Sequence, residues 1–368
     1  MTNVAVNLLW CVPGGVGGSE DYLVRQMLGL AEIESPFVPT LYVVAGFAEA
    51  HPDLAAACRL VVAPIDGTNR ARRVIAEHGW LVSQTKSSEL VHHGGGTVPS
   101  RGSRPTAVTI HDLQYLTYPQ YFSPLKRAYL DWAMPRSARR ADVIAVPTGF
   151  VRDTVVEAYG VQPDRVVIVP HGLEPTIGAA ATDEVELRAR FGLGAGPIVV
   201  LPAITHPHKG HMFLLRLLAE RWTDPDLRLV LTGGAGAADA DLSEAIVRMG
   251  LAERVVRAGR VSAPDRDGLI MMAAAMVFPS EYEGFGAPII EAMALGTPVI
   301  CSDRTCLPEV AGDAAIVVPL FIDAWAGALD DAMSRRGELV RAGLGRAAHF
   351  TAAISARALV SAYGLALS

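Results

Sequence analysis

The stretch Phe278-Pro-Ser-Glu-Tyr-Glu-Gly-Phe-Gly-Ala-Pro-Ile-Ile-Glu-Ala-Met-Ala-Leu-Gly-Thr-Pro-Val-Ile-Cys-Ser302 reads as strand, loop, short helix, turn and strand. The apolar run Met276-Val-Phe278 stops at Pro279-Ser280, and the loop after it carries Glu281, Glu283, Gly284 and Gly286. Pro288 suits a first helical turn, where a missing N–H is no loss, and Gly296 suits a left-handed stop after Leu295. Val299-Ile-Cys301 opens the next buried strand. A helix that begins near Ala287 points its unpaired N–H groups and positive dipole end back into the loop, a place for a phosphate or for sugar hydroxyls. Gly284 and Gly286 let the backbone come close to such a ligand. Glu283 precedes the helix and Glu291 lies just over one turn inside it, so two carboxylates can hold different parts of one polyol. Two glutamates alone would describe a solvated surface helix. Their glycines and prolines make the pattern more specific than that.

The run Glu283-Gly-Phe-Gly-x-Pro-x-x-Glu291-Ala-Met-Ala-x-Gly-x-Pro-Val resembles the paired-glutamate signature of retaining glycosyltransferases of family 4, the glycosyl transferases group 1. The resemblance implies an α/β chain of the GT-B fold, with two Rossmann-like domains facing a central cleft. It places an acceptor-binding domain at 1–176, a nucleotide-sugar donor domain at 177–350, and a C-terminal helix, 351–368, that crosses back to the first domain. It also implies donor contacts from Glu283, Gly284, Phe285, Gly286, Ala287 and Glu291. Glu283 is cast as a binder of sugar hydroxyls and Glu291 as the holder of the ribose.

Composition agrees with two packed domains. The chain has 368 residues, 51% hydrophobic and 19% charged, enough to bury two cores. Its formal charge, 32 − 38 = −6, gives no electrostatic case for nucleic acid. Cys11, Cys58, Cys301 and Cys306 form no CxxC pair and read as reduced residues of a cytoplasmic protein. Val4 to Val12 is too short for a membrane span and lacks the basic flank of a signal peptide.

In chain order, Val4 to Trp10 reads as a buried parallel strand, followed by Pro13-Gly-Gly-Val-Gly-Gly-Ser-Glu20 and a helix through Leu30. Such a unit is either a phosphate cradle or a plain tight turn. The resemblance brings Gly14, Gly15 and Val16 to the donor diphosphate and the acceptor. Pro39 to Val44 and Arg59 to Val62 read as further strands. Val91-His92-His93 ends another strand; adjacent histidines on a strand face opposite ways, so they make no metal site, and an acceptor-side loop position is expected instead. His111-Asp112 stands at the end of the strand Ala107 to Ile110, where turn chemistry would explain the aspartate. The resemblance gives His111 a donor-sugar contact and a catalytic role, and the aromatics after it read as a sugar-stacking loop. Ser123 to Ala141 is a basic amphipathic helix. A peripheral membrane contact is open to it, although an ordinary surface helix is favoured.

The second half repeats the α/β alternation. Pro197 to Pro202 is a strand, and Ala203-Ile-Thr-His-Pro-His-Lys209-Gly-His leads into the helix Met212 to Arg221. Lysine occurs only at Lys86, Lys126 and Lys209, so a lysine at this strand exit is informative. An ammonium there suits a diphosphate leaving group. In the family resembled, an arginine often stands five residues before this lysine; here the position is Ile204, and Thr205 or His208 is expected to substitute. Gly233 follows another strand, and Gly259 to Val261 are expected to flank the nucleotide base. Asp224/Asp226, Asp239/Asp241 and Asp265/Asp267 read as caps and turns, so neither a metal nor a cofactor is expected. Residues 302–313 are expected to order the domain behind Glu291.

The implied reaction is retaining transfer of a hexose by front-face displacement, with Lys209, the amides near Gly15 and the helix after Gly286 stabilising the departing nucleoside diphosphate. Mannose from GDP-mannose is the first expectation and a UDP-linked donor the next. The acceptor, a glycan, a lipid-linked glycan or a small aglycone, has no readable code in residues 45–70 and 92–122. A nucleotide-sugar 2-epimerase of the same architecture lacks a visible acid/base set beside Glu283. A bilobal sugar-binding protein would carry an export signal. A pyridoxal-dependent phosphorylase would need a second lysine in the right half.

Overall fold

The computed structural model describes residues 1–102 and 104–368; Ser103, inside the 92–122 stretch expected to bear on acceptor choice, lies outside the described residues. The chain divides into two compact units, Met1–Glu174 with Phe350–Ser368, and Pro175–His349.

The first unit is built on β1 (Thr2–Asn7), β2 (Phe37–Val43), β3 (Arg59–Val62), β4 (Leu90–His93), β5 (Thr106–Thr109), β6 (Val143–Val146) and β7 (Val166–Ile168). They form one parallel sheet in the order β3-β2-β1-β4-β5-β6-β7. The second unit holds β8 (Ile198–Pro202), β9 (Arg228–Thr232), β10 (Val255–Gly259), β11 (Ala275–Phe278), β12 (Val299–Ser302) and β13 (Ile316–Val318), in the order β10-β9-β8-β11-β12-β13. Helices follow most strands and cover the faces, which is why the central strands are unbroken apolar runs rather than alternating ones. Val4, Ala5 and Val6 in β1, and Val199, Val200 and Leu201 in β8, are wholly buried.

In both sheets the order reverses beside the founding strand, between β1 and β4 and between β8 and β11. Connections leave those two strands in opposite directions. The gap between their carboxyl ends is where open α/β sheets bind ligands. Position in the topology thus marks two places before any side chain is considered.

The terminal helix Ala352–Leu367, capped by the Thr351 hydroxyl, belongs to the first unit. It packs on the helix Gly18–Glu32, where a Cβ on Gly29 would fall 2.4 Å from the Ala352 carbonyl oxygen. Two helices approach that closely only through a residue without a side chain. Gly29→Val is therefore expected to destabilise the first unit by about 1–3 kcal/mol through overpacking. Urea unfolding followed by circular dichroism reads this directly, and an unchanged midpoint would refute the packing argument.

Several local readings are corrected. β1 stops at Asn7 rather than running to Trp10, because the Asn7 side chain accepts from the Leu9 N–H and turns the chain. After β13 the chain forms two short helices, Ile322–Trp325 and Ala328–Ser334, parted at Gly327. His92 and His93 do not occupy an acceptor-side loop. His92 is wholly buried, between the Tyr363 hydroxyl at 2.8 Å and the Thr109 hydroxyl at 2.7 Å, and His93 meets the Asn7 amide at 3.2 Å. Among the aromatics after His111, Tyr115 is core, its hydroxyl 2.9 Å from that of Tyr159, while Tyr118 and Tyr121 stack on one another. The basic helix runs Pro124–Arg140, with Leu125 and Trp132 exposed and Arg136 laid over Trp132. Among the described residues, no helix is long and apolar enough to cross a membrane.

Candidate functional site

In the second unit, the loop after β8 and the loop after β11 meet across the switch point. Pro207–Lys209 makes one tight turn, and Gly210 (φ 76°) ends it in a conformation that favours glycine. A Cβ on Gly210 would lie 2.4 Å from the Pro279 carbonyl oxygen, so the loops are pressed together at this point. The Glu281 N–H donates to the His208 carbonyl at 2.8 Å. This contact sets the central pair: Lys209 Nζ lies 2.6 Å from Glu283 Oε1, with both side chains mostly buried. The Phe278 ring stands 5.6 Å from the same ammonium.

Glu283 is gripped from behind. Its N–H donates to the Thr305 hydroxyl at 3.1 Å, and the Cys306 thiol donates to its carbonyl at 3.2 Å. Thr305 holds φ 53°, an uncommon value for a residue other than glycine, to make this clasp. Leu307 closes on Gly286, whose missing Cβ would be 2.7 Å from a Leu307 methyl. The segment after the paired glutamates therefore supports the Glu283 loop as well as packing behind the helix that carries Glu291. Gly286 (φ 85°) caps the helix Ala287–Ala294, and Glu291 sits buried on that helix at 7% exposure. Gly284 and Phe285 are buried within the loop, and Ala287 opens the helix.

The remaining second-unit residues strap three strand exits together. Thr205 donates its N–H to the Gly234 carbonyl at 3.2 Å, and its own carbonyl accepts from Ala238 at 3.0 Å. Gly233 (φ 140°) donates to the Gly259 carbonyl at 2.7 Å, and a Cβ on it would strike the Ala203 oxygen at 2.3 Å. Gly259 (φ 69°) turns the chain toward half-buried Val261. Burial, then the neighbouring Lys209 charge, pushes His208 down to about 3; burial holds His211 at about 4. Both are neutral near neutral pH. Each of the three aspartate pairs has a carboxylate engaged structurally. Asp224 accepts from the Asp226 N–H, Asp239 pairs with Arg257, Asp265 meets Arg190 and the Thr182 hydroxyl, and Asp267 meets Arg266. Among the described residues, no group of three His, Cys, Asp or Glu could hold a metal ion.

In the first unit, Gly14 (φ 69°), Gly15 and Val16 form the loop between β1 and the helix Gly18–Glu32. Glu20 shapes it. One carboxylate oxygen accepts from the Gly14 N–H at 2.9 Å and the other lies 2.8 Å from His51 Nε2. Sequence reasoning gave Glu20 no role; an acid in the first turn after a glycine loop was the available signal. His111 stands at the end of β5, half-buried, with ring neighbours Trp10 and Tyr22 each at 5.6 Å. Its Nε2 lies 2.8 Å from the Gly94 carbonyl, which can only accept, so Nε2 carries the proton and Nδ1 keeps a lone pair. Burial holds the ring at about 4, a neutral imidazole. Asp112 performs turn chemistry, accepting from the Gln114 N–H.

The Lys209 ammonium, the Glu283 carboxylate and a helix start lie together in the second unit, with Glu291 farther along that helix, a set able to bind an anion and hydroxyls. The model for Glycosyl transferases group 1 matches residues 184–348, and that for Glycosyltransferase Family 4 matches residues 16–176. O-antigen chain mannosyltransferase B of Escherichia coli is 30% identical over 67% of this chain and 65% of its own length. D-inositol 3-phosphate glycosyltransferase of Corynebacterium aurimucosum is 32% identical over 62% of this chain and 58% of its own. The chain thus spans less than two thirds of these curated relatives. Anabaena Alr3699/HepE, solved with UDP and glucose, superposes with a TM-score of 0.75 at 17% identity, over 99% of this chain and 100% of that one. With a matching model on each half and the same fold over its whole length, the chain belongs to the GT-B glycosyltransferases of family 4, group 1.

Proposed function

We propose that the protein transfers a hexose from a nucleotide-diphosphate sugar to an acceptor hydroxyl, with retention of configuration and without a metal. The Lys209–Glu283 pair at the switch point of the second sheet carries this reading. Lys209 and the start of the helix Ala287–Ala294 would take the diphosphate, Glu291 the ribose hydroxyls, and Glu283 the hydroxyls of the sugar. His111, neutral and with a lone pair on Nδ1, would accept from a sugar hydroxyl rather than supply a proton. In front-face displacement the bond from C1 to the phosphate oxygen breaks, and its electron pair stays on the diphosphate. The acceptor oxygen bonds to C1 from the same face, and its proton passes to the departing diphosphate oxygen. Glu283, ion-paired and clasped at its backbone, is a positioning group in this scheme, not an attacking one. Mannose from GDP-mannose is the first donor to try, given the relatives named as mannosyltransferases. A UDP-linked sugar is the second. A glycan, a lipid-linked glycan or an aglycone completes the reaction.

Calorimetric titration of UDP, GDP, ADP and TDP in excess EDTA tests the donor site. One nucleotide is expected to bind without metal, and Glu291→Ala should weaken it by about tenfold or more, as loss of a charge-assisted hydrogen bond requires. Absence of binding for all four would overturn the reading.

A further inference from the structure

We infer that Arg260 is the second cation of the donor site, its guanidinium meeting the diphosphate beside the Gly233–Gly234 turn. The inference deepens the donor-site reading and rests on it. A nucleoside diphosphate carries more than one negative charge and gains another when the sugar departs. Lys209 is a single ammonium that already faces Glu283 at 2.6 Å. The residue five before it, Ile204, has no charge. Thr205 is uncharged as well, and its backbone N–H and carbonyl are both committed. His208, half-buried, and His211, buried, are both neutral beside Lys209.

Arg260 comes from the neighbouring strand exit. Gly259 ends β10, and its carbonyl accepts from the Gly233 N–H, which ties the residue before Arg260 to the turn after β9. Arg260 Nε and Nη2 each lie 3.9 Å from where a Cβ on Gly234 would stand. Gly234 is bonded through its carbonyl to the Thr205 N–H. A Cβ on Gly233 would lie 3.0 Å from the Ile204 nitrogen. The guanidinium thus lies over bare backbone that is packed against Ile204 and Thr205. A planar fork of donors suits two phosphate oxygens at once, which one ammonium cannot match.

The experiment titrates the full chain with UDP and GDP, and separately with uridine and guanosine, at two salt concentrations. Arg260→Ala is expected to weaken the bound diphosphate at least tenfold, flatten its salt dependence, and leave nucleoside affinity unchanged. Arg260→Lys should recover part of the loss, and Ile204→Arg in the Arg260→Ala background should restore it. Equal losses for diphosphate and nucleoside would overturn the inference, because the guanidinium would then serve the base. So would an indifferent Arg260→Ala in a chain that binds UDP or GDP. If the unaltered chain binds neither diphosphate, the donor-site reading itself falls.

Discussion

Lys209→Ala is expected to lower kcat/KM by about 10²–10³-fold, the range found when one preorganised donor to a developing anion is removed. Two effects add in this variant. The ammonium that neutralises the leaving diphosphate is gone, and the Glu283 carboxylate, held at 12% side-chain exposure, is left without its partner where a diphosphate should bind. An orphaned charge in such a place is costly in itself and repels the substrate. The second contribution can be measured. Adding Glu283→Gln to Lys209→Ala should weaken diphosphate binding less than the two separate losses summed, because it removes the repulsion. A double-mutant cycle read by calorimetry and by steady-state rates gives the coupling. A Lys209→Ala enzyme within threefold of the parent, or strictly additive losses, would remove the pair from the donor site.

The next largest effect is expected in acid. Burial holds His92 and His93 at about 3 and His111 at about 4, against an ordinary 6.5. Their folded values are depressed, so the folded first unit binds fewer protons than the unfolded chain between these limits. Their stabilising contribution is complete above pH 6.5 and is lost as pH falls toward 4 and then 3. At pH 5 a single such histidine costs about 2 kcal/mol, since one pKa unit is about 1.4 kcal/mol. Buried His171 shifts in the same direction, while buried Glu77, raised by desolvation, works in the opposite sense. Urea unfolding at pH 7.5 and pH 5 should therefore differ by several kcal/mol, and His92→Asn should make the dependence shallower. Equal stability at the two pH values would show that these imidazoles are not held neutral by the fold.

The two sheets were legible because buried parallel strands leave uninterrupted apolar runs, and the Glu283–Glu291 stretch was legible because loop, helix start and helix stop each leave a local mark. Contacts between distant segments leave no such mark. Nothing around His92 announces that Tyr363 completes its hydrogen bonds. The same is true of His51 on Glu20, and of Thr305 and Cys306 on Glu283. The pair His92-His93 read as a loop position because it stands at a strand end before Gly94-Gly95-Gly96. Two hydroxyl partners for His92, one of them Tyr363, hold it in the core instead. Gly259 to Val261 read only as neighbours of the base, because the contact between Arg260 and Gly234 is made by the β9–β10 pairing, of which the sequence between them carries no hint.

The return of the closing segment Phe350–Ser368 to the first unit sets the order in which the chain can mature on the ribosome. Residues 1–174 emerge first, yet the Gly18–Glu32 helix lacks its cover and His92 its phenol until the final turns have been made. The unit translated second has all its strands in hand earlier, by His349. Synthesis from the amino end thus leaves the leading half waiting on residues 350–368. A premature stop near residue 350 would cripple the half of the protein that was finished long before it.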